Sequence, residues 1–473
     1  MTILELNTGD TAWVLAAAGL VLLMTPGLAL FYGGMVRAKS VLNMMMMSII
    51  AMATVGVLWV LFGFSMAFGN SWNGIIGDPT QFAGLQNTAD VLLGEPGNQI
   101  PLLVFIGFQA AFAIIATALA SGAVADRMKF SAWVVFTLVW SSLVYFPAAH
   151  WVFAFDGSVS ERGGFIANTI GAIDFAGGTA IHINAGMAAL MLAIVVGPRL
   201  GFGTKPMRPQ NLTLVMLGAG LLWFGWFGFN AGSALGANEL AGLTWVNTLV
   251  GAGAAMLAWL VVERIRDGHA TSLGAASGIV AGLVAITPAC AAVTPLGAIA
   301  IGVLAGVACA LAVRWKSKFS IDDSLDVVAV HLLGGLVGTL AVGLFAKGSL
   351  NDGVAGVFYG GGFDQLGRQA LGALAVMVYS GVVSLLIALA IKYTIGIRVS
   401  PAAEAAGIDL AAHAENGYDL SSVGYSSYRV RSTLVVPPAP LSASTPSTAS
   451  TVSSAQTDSA PSATPTPQKE PVA

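Results

Sequence analysis

The sequence predicts an all-α polytopic membrane protein, with eleven transmembrane helices built around a five-plus-five inverted repeat. Three observations carry that prediction. Charged residues make up 9% and hydrophobic residues 56% of the 473-residue chain, against roughly 25% charged in a soluble protein, so too few charges exist to build a water-facing surface. The apolar residues fall in blocks of about twenty, long enough at about 1.5 Å per residue to cross ~30 Å of hydrocarbon. A His-containing segment near the middle of the chain returns in its second half, one odd number of spans later.

The apolar blocks place spans near 11–35, 41–69, 101–123, 131–154, 178–197, 211–233, 243–263, 272–289, 295–314, 330–347 and 369–395. Their odd number puts the two termini on opposite sides. Lys and Arg alternate between loops with a strong bias. One set holds Arg37, Lys39, Arg127, Lys129, Arg199, Lys205, Arg208, Arg264, Arg266, Arg314, Lys316, Lys318, Lys392 and Arg398, whereas the other holds only Arg162, Lys347 and Arg368. Because positive loops stay in the cytoplasm during insertion, the N-terminus is expected outside and the C-terminus inside a cell membrane. The first apolar run has no basic flank, since Glu5 and Asp10 are the first charges; it is expected to be a true span rather than a cleaved signal.

The domain organisation follows: a transmembrane domain over 1–396, with repeat one over about 11–197, repeat two over about 211–347 and the eleventh helix over about 369–395. Residues 397–430 carry charges, aromatics and glycines and are expected to form a small cytoplasmic regulatory segment. The Ser/Thr/Pro/Ala-rich stretch over 431–473 cannot bury enough apolar surface to order itself and is expected to be disordered. A net charge of -3 leaves no footprint for nucleic acid. The two cysteines, Cys290 and Cys309, sit inside apolar stretches and read as small packing residues, with no disulfide framework and no zinc cluster.

The repeat is read by aligning "DFAGGTAIHINAG" (Asp174 to Gly186) with "DSLDVVAVHLLGG" (Asp323 to Gly335), which pairs Asp174 with Asp323, Ala180 with Ala329, His182 with His331 and Gly186 with Gly335. Five spans per repeat force the two copies into opposite orientations, an architecture that places sites near the bilayer midplane at the repeat interface. An ionisable group in a span is costly and is a functional candidate by default. A single such histidine is as readily a satisfied structural group. Two at repeat-related places, each followed by glycine that permits close helix approach, point to a shared site where the rings meet. Neutral imidazoles offer one donor and one acceptor each, which suits a small hydrogen-bonding solute. Metal binding is the competing reading, but neither span offers a Cys, Asp or Glu to complete a ligand set. Of the remaining features, Met44 to Met47 point all round a helix and read as packing, His150 reads as interfacial beside Trp151, and His269 and His413 fall in cytoplasmic segments.

From Trp13 to about Tyr418 the chain resembles the ammonium transporter family (Amt, Mep and Rh proteins), closest to bacterial Amt-type members. The resemblance rests on "TPGLALFYGGMVR", "FQAAFA", "LVWSSLVYFPAAHW", "DFAGGTAIHINAG", "WFGWFGFNAGSA", "DDSLDVVAVH" and "GIRVSPAAEAAGIDLAAHAENGY", in that order and spacing. It implies a homotrimer with one central pore per subunit, passage of ammonium or ammonia (and of methylammonium), no cofactor and no enzymatic activity. Residue by residue it implies that His182 and His331 line the pore. Phe108, Phe153, Ser233 and Asp174 make an outer substrate site, Phe112 and Phe229 a phenylalanine gate, and Trp226 and Asp326 pore support. Asp174 also reads as a plain helix N-cap. Many family members carry Trp where this chain has Phe153, and Trp is the stronger cation–π partner. The resemblance further implies a PII-type signal protein docking on the cytoplasmic face, which leaves ammonium sensing as an alternative to transport.

Overall fold

The computed structural model describes residues 6–418; the expected disordered tail over 431–473, and the end of the segment over 397–430, lie outside the described residues. Among the described residues, ten helices are long and apolar enough to cross a membrane: α1 (Thr8–Met35), α2 (Ala38–Phe68), α3 (Leu102–Val124), α4 (Phe130–Phe153), α5 (Gly178–Val196), α6 (Leu212–Gly232), α7 (Glu239–Asp267), α9 (Pro295–Lys318), α10 (Val328–Phe345) and α11 (Asp364–Thr394). Between α7 and α9 lies a shorter apolar helix, α8 (Ser272–Ile286). At about 1.5 Å per residue α8 covers roughly 22 Å, and the chain continues through turns that begin beside Pro288, whose ring removes a backbone donor. Eleven helices thus occupy the eleven expected positions, with the eighth ending earlier than its apolar block.

The helix starts are written in the sequence. Asn7, Asn211, Asn238, Thr271 and Thr294 each accept a backbone N–H of the following first turn of α1, α6, α7, α8 and α9, satisfying donors that a helix leaves orphaned. Packing relies on small residues, as expected where lipid offers no hydrophobic drive for helices to associate. Gly225, Gly228 and Gly232, on one face of α6, lie against Met24, Leu20 and Ala17 of α1. Gly302 and Gly306 of α9 lie against the Gly251 and Ala255 carbonyls of α7. Large apolar side chains such as Leu371, Leu374, Val378 and Val382 of α11 are exposed at three- and four-residue spacing, a stripe that faces outward.

The two sets of loops separate to the two ends of the bundle. At the Lys/Arg-rich end, Arg37 Nε meets Asp126 Oδ2 at 3.0 Å, Arg199 Nη2 meets Asp322 Oδ1 at 2.8 Å, and Lys129 N–H donates to Ile397 O at 3.0 Å. At the other end Asn7 N–H donates to Gln99 O, and Gln369 joins Ile173. Helix α5 therefore begins at the base-poor end and α10 at the base-rich end, which is the inversion expected of the repeat. After α11 the chain returns to the base-rich end as a short helix, Pro401–Ala406, and a π turn, Asp409–His413. Glu404 accepts the Leu200 N–H at 2.6 Å and pairs with Arg398 at 2.7 Å, while Asp409 accepts the Leu42 and Asn43 N–H groups at the start of α2.

Candidate functional site: a histidine-lined path

Both histidine helices begin with a carboxylate cap and a π turn. Asp174 Oδ1 accepts from Gly177 N at 2.8 Å and Gly178 N at 2.7 Å, and its Oδ2 from Thr179 N at 2.7 Å, Ala180 N at 3.3 Å and the Thr179 hydroxyl. Asp323 Oδ2 accepts from Val328 N at 2.7 Å. The helices then run as π turns, Gly178–Ile183 and Val328–Leu333, before becoming regular α-helix. Each π turn contains its histidine. A π turn rotates a side chain off the α-helical stripe, and such turns gather at functional sites; nothing in the apolar spacing announced either.

The two rings meet. His182 Nδ1 and His331 Nδ1 are 3.2 Å apart, both residues are buried, and the rings are nearly parallel with centroids 5.3 Å apart. One Nδ1 must donate and the other accept, so the accepting ring carries its proton on Nε2. Glycine makes the approach possible. A Cβ on Gly186 would come within 2.7 Å of Leu332 Cα, and one on Gly335 within 3.2 Å of His182 Cβ. His182 Nε2 is buried and unpartnered. Beside it lies a cavity of about 10 Å³, walled by Trp226, Phe229, Leu28, Ile115 and both histidines. That is room for about one water-sized molecule. Trp226 stacks on His182 at 5.3 Å and is itself fixed by its indole N–H, which donates to Thr287 Oγ1 at 2.8 Å.

Toward the base-poor end the path is closed by Phe112 and Phe229, whose ring centroids are 4.3 Å apart. Above this pair opens a cavity of about 90 Å³ lined by Phe153, Ser233 and Phe112, and also by Phe105, Gln109, Phe155, Ser158, Phe175 and Leu235. Ser233 Oγ donates to Phe229 O at 2.8 Å, which leaves its lone pairs as acceptors. Phe108 is not among the residues lining this cavity. It is fully buried, meets Phe112 edge-on at 4.8 Å and lies against Gly232. Asp174 also lies outside the lining, and its neighbour Phe175 takes a place in the wall. The sequence reading missed Phe155 and Ser158 because they follow the end of α4, outside any periodic segment.

Toward the base-rich end a second cavity of about 10 Å³ lies between His331, Tyr32, Phe31 and Ser277. Buried charged groups gather at this end of the bundle. Arg127 is fully buried and donates to the carbonyls of Ala123, Ala125, Gly197 and Asp322 and to Ser324 Oγ; burial pulls its pKa down to about 10. Burial opposes ionisation of Asp322, but hydrogen bonds from Arg199 and the charges of Arg127 and Arg199 outweigh it and hold its carboxyl below the usual range. Asp323 goes the other way: burial, then the charge of Asp326, pushes it up to about 6. Asp326, expected as pore support, pairs with Lys316 at 2.7 Å and takes a left-handed backbone, φ +61°, a conformation that Asp tolerates better than most residues. His150, expected at the interface, is fully buried, with Nδ1 3.0 Å from Ala67 O and Nε2 2.7 Å from Ser71 Oγ. Both of its nitrogens are satisfied, which makes it a structural group.

The profile of the Ammonium Transporter Family matches residues 12–418. The chain belongs to that family. Members are transporters rather than enzymes. An ammonium transporter of Mycobacterium bovis is 60% identical over 91% of this chain and 92% of its own length, and one of Aquifex aeolicus is 46% identical over 88% and 95%. Among solved structures, a sensor Amt protein superposes with a TM-score of 0.78 at 30% identity, covering 85% of this chain and 98% of that one. Saccharomyces cerevisiae Mep2 superposes with a TM-score of 0.76 at 31% identity, covering 84% and 88%. The family assignment fits the eleven helices described above.

Proposed function

We propose that this protein moves ammonium across a cell membrane by recruiting NH4+ in the outer cavity, separating it near the Phe112 and Phe229 pair into NH3, which passes between His182 and His331, and a proton, which the touching imidazoles of the same two residues relay. The observation that carries the proposal is the pair of touching imidazoles beside a cavity of about 10 Å³ with an unpartnered His182 Nε2. NH3 is water-sized, it both donates and accepts, and it satisfies that nitrogen. A bare cation in the same apolar space pays a desolvation penalty that neutral ammonia avoids. Potassium has no proton to lose and meets the full barrier. In the outer cavity Phe153 and Phe112 offer ring faces to a small cation and Ser233 a directed acceptor. Phe108 backs the gate, and Asp174 acts through the helix it caps. Methylammonium shares the N–H groups and the charge, and enters the same cavity.

Proteoliposome uptake of methylammonium is the test. His182→Ala and His331→Ala each lower the rate or let potassium through; wild-type rate and selectivity in both overturns the pore role. The loop charges support an external N-terminus and a cytoplasmic C-terminus. The relatives' names support ammonium as the cargo. A homotrimer, with a pore in each subunit, and a PII-type protein on the base-rich face complete the proposal. Sensing is supported by the 398–413 segment, which bonds to Leu200 and to the start of α2. Partner binding that depends on ammonium, with no solute flux in the same liposomes, would make sensing the primary role.

A further inference from the structure

The outer cavity is several times larger than the ammonium it would receive. At about 90 Å³ it is far above the 10 Å³ space beside the histidines, and about one water-sized molecule needs only 10–15 Å³ on that measure. Its walls are graded in depth. Phe112 is 1% exposed at the floor and Phe155 is 54% exposed at the mouth. Ser233, bonded back to the gate residue Phe229, marks where an N–H group of a cation is held. Phe155 lines the same cavity on its exposed side.

Phe155 does not reach that position on a loose loop. Asp156 Oδ1 accepts from Gly163 N at 2.7 Å, and Asp156 N–H donates to Asn168 Oδ1 at 3.0 Å. Asn168 Nδ2 in turn donates to Ala154 O at 2.9 Å and Gly164 O at 2.8 Å. Ser158 N–H closes the turn on Phe155 O at 3.2 Å. Residues on both sides of Phe155 are pinned, and the ring between them is left at the cavity mouth. An exposed aromatic fixed in this way is a built wall.

The geometry points to Phe155 as a specificity-determining residue: its ring takes the alkyl group of a methylammonium whose nitrogen is held at Ser233 in the same cavity. The inference rests on the recruitment role proposed above for the same cavity. Bare ammonium binds at the deep end and gains little from Phe155. Methylammonium gains the burial of one methyl, about fourfold in affinity at ~0.8 kcal/mol per carbon.

The test compares the KM for labelled methylammonium with the Ki of ammonium as competitor, in proteoliposomes of the full chain. Phe155→Ala is expected to raise the methylammonium KM about fourfold, with the ammonium Ki and the maximal rate within about twofold, and Phe155→Leu, which keeps an apolar wall, to stay near wild type. Equal weakening of both cations, no change in either, or a Phe155→Leu variant as impaired as Phe155→Ala would overturn the assignment. Ser233→Ala separates the two layers of the argument. If it weakens both cations while Phe155→Ala changes neither, only the Phe155 assignment falls; if Ser233→Ala also changes neither, the recruitment reading itself falls.

Discussion

Replacing Asp174 by Asn tests whether this carboxylate serves the pore by holding a helix or by touching the cargo. The side chain is buried and accepts from four consecutive backbone N–H groups and the Thr179 hydroxyl. In Asp174→Asn the amide oxygen can replace only one carboxylate oxygen, and the NH2 group faces donors where Oδ1 or Oδ2 had accepted. In either amide orientation two backbone donors lose their partner. Hydrogen bonds to a charged group contribute about 1.5–3 kcal/mol each, so the loss is roughly 3–6 kcal/mol, released into the π turn that aims His182. Even 3 kcal/mol of bias away from the aligned turn lowers its population about a hundredfold. The expected outcome is a lower melting temperature of the purified protein and a methylammonium uptake rate down at least tenfold, with KM within about twofold. An unchanged melting temperature together with a raised KM would refute the capping argument and put the carboxylate in contact with the cation.

Three further outcomes follow from the same geometry. Gly186→Val forces side-chain atoms against the Leu332 backbone, a clash of the overpacking kind that costs about 1–3 kcal/mol; the histidine helices separate and uptake falls, whereas the same change at Gly367 of α11, where the backbone is helical and a Cβ meets open space, leaves the transport rate unchanged. Asp323 is raised from 3.8 to about 6 by burial, so between those values the folded state binds more protons than the unfolded one and stability falls as pH rises through that window. Asp323→Asn, which keeps an acceptor for Val328 N–H, should flatten the slope of melting temperature against pH between about 4 and 6; an unaltered slope would show that another group carries it. Glu404→Ala removes the acceptor of Leu200 N–H and the partner of Arg398, and limited proteolysis should then cut the 398–413 segment faster at an unchanged melting temperature of the helical bundle.

The helices were legible because each depends on chain-local physics: apolar blocks long enough to cross a bilayer. His182 and His331 were legible because a polar group in an apolar block is conspicuous and because the segment around it recurs. The π turns were not, since a one-residue change in hydrogen-bond register leaves no mark in apolar spacing. The division of labour between Asp323 and Asp326 was equally hidden: Asp323 caps α10, while Asp326, at a positive φ, pairs with Lys316. The outer cavity was half legible. Phe153 and Ser233 were reached only through the family resemblance, whereas Phe155 and Ser158 are held by Asp156 and Asn168 through a turn whose shape no period encodes.

The depth at which the histidines meet has a simple origin in the repeat. Asp174 precedes His182, and Asp323 precedes His331, by the same eight-residue offset. Each carboxylate caps the first turn of its helix, which begins at Gly178 in one copy and at Val328 in the other, and the equal offset sets each ring at a matching distance from its own cap. Because the two helices start from opposite ends, equal offsets bring both rings to one depth, near the axis that relates the repeats, where a residue lies beside its own counterpart. The Nδ1 to Nδ1 contact of 3.2 Å is then a consequence of equal spacing, small residues at the crossing and opposite orientation. A one-residue deletion between Asp174 and His182 would turn that ring about 100° away and break the contact with both helices still formed, so the pairing depends on the offset as much as on the histidines themselves.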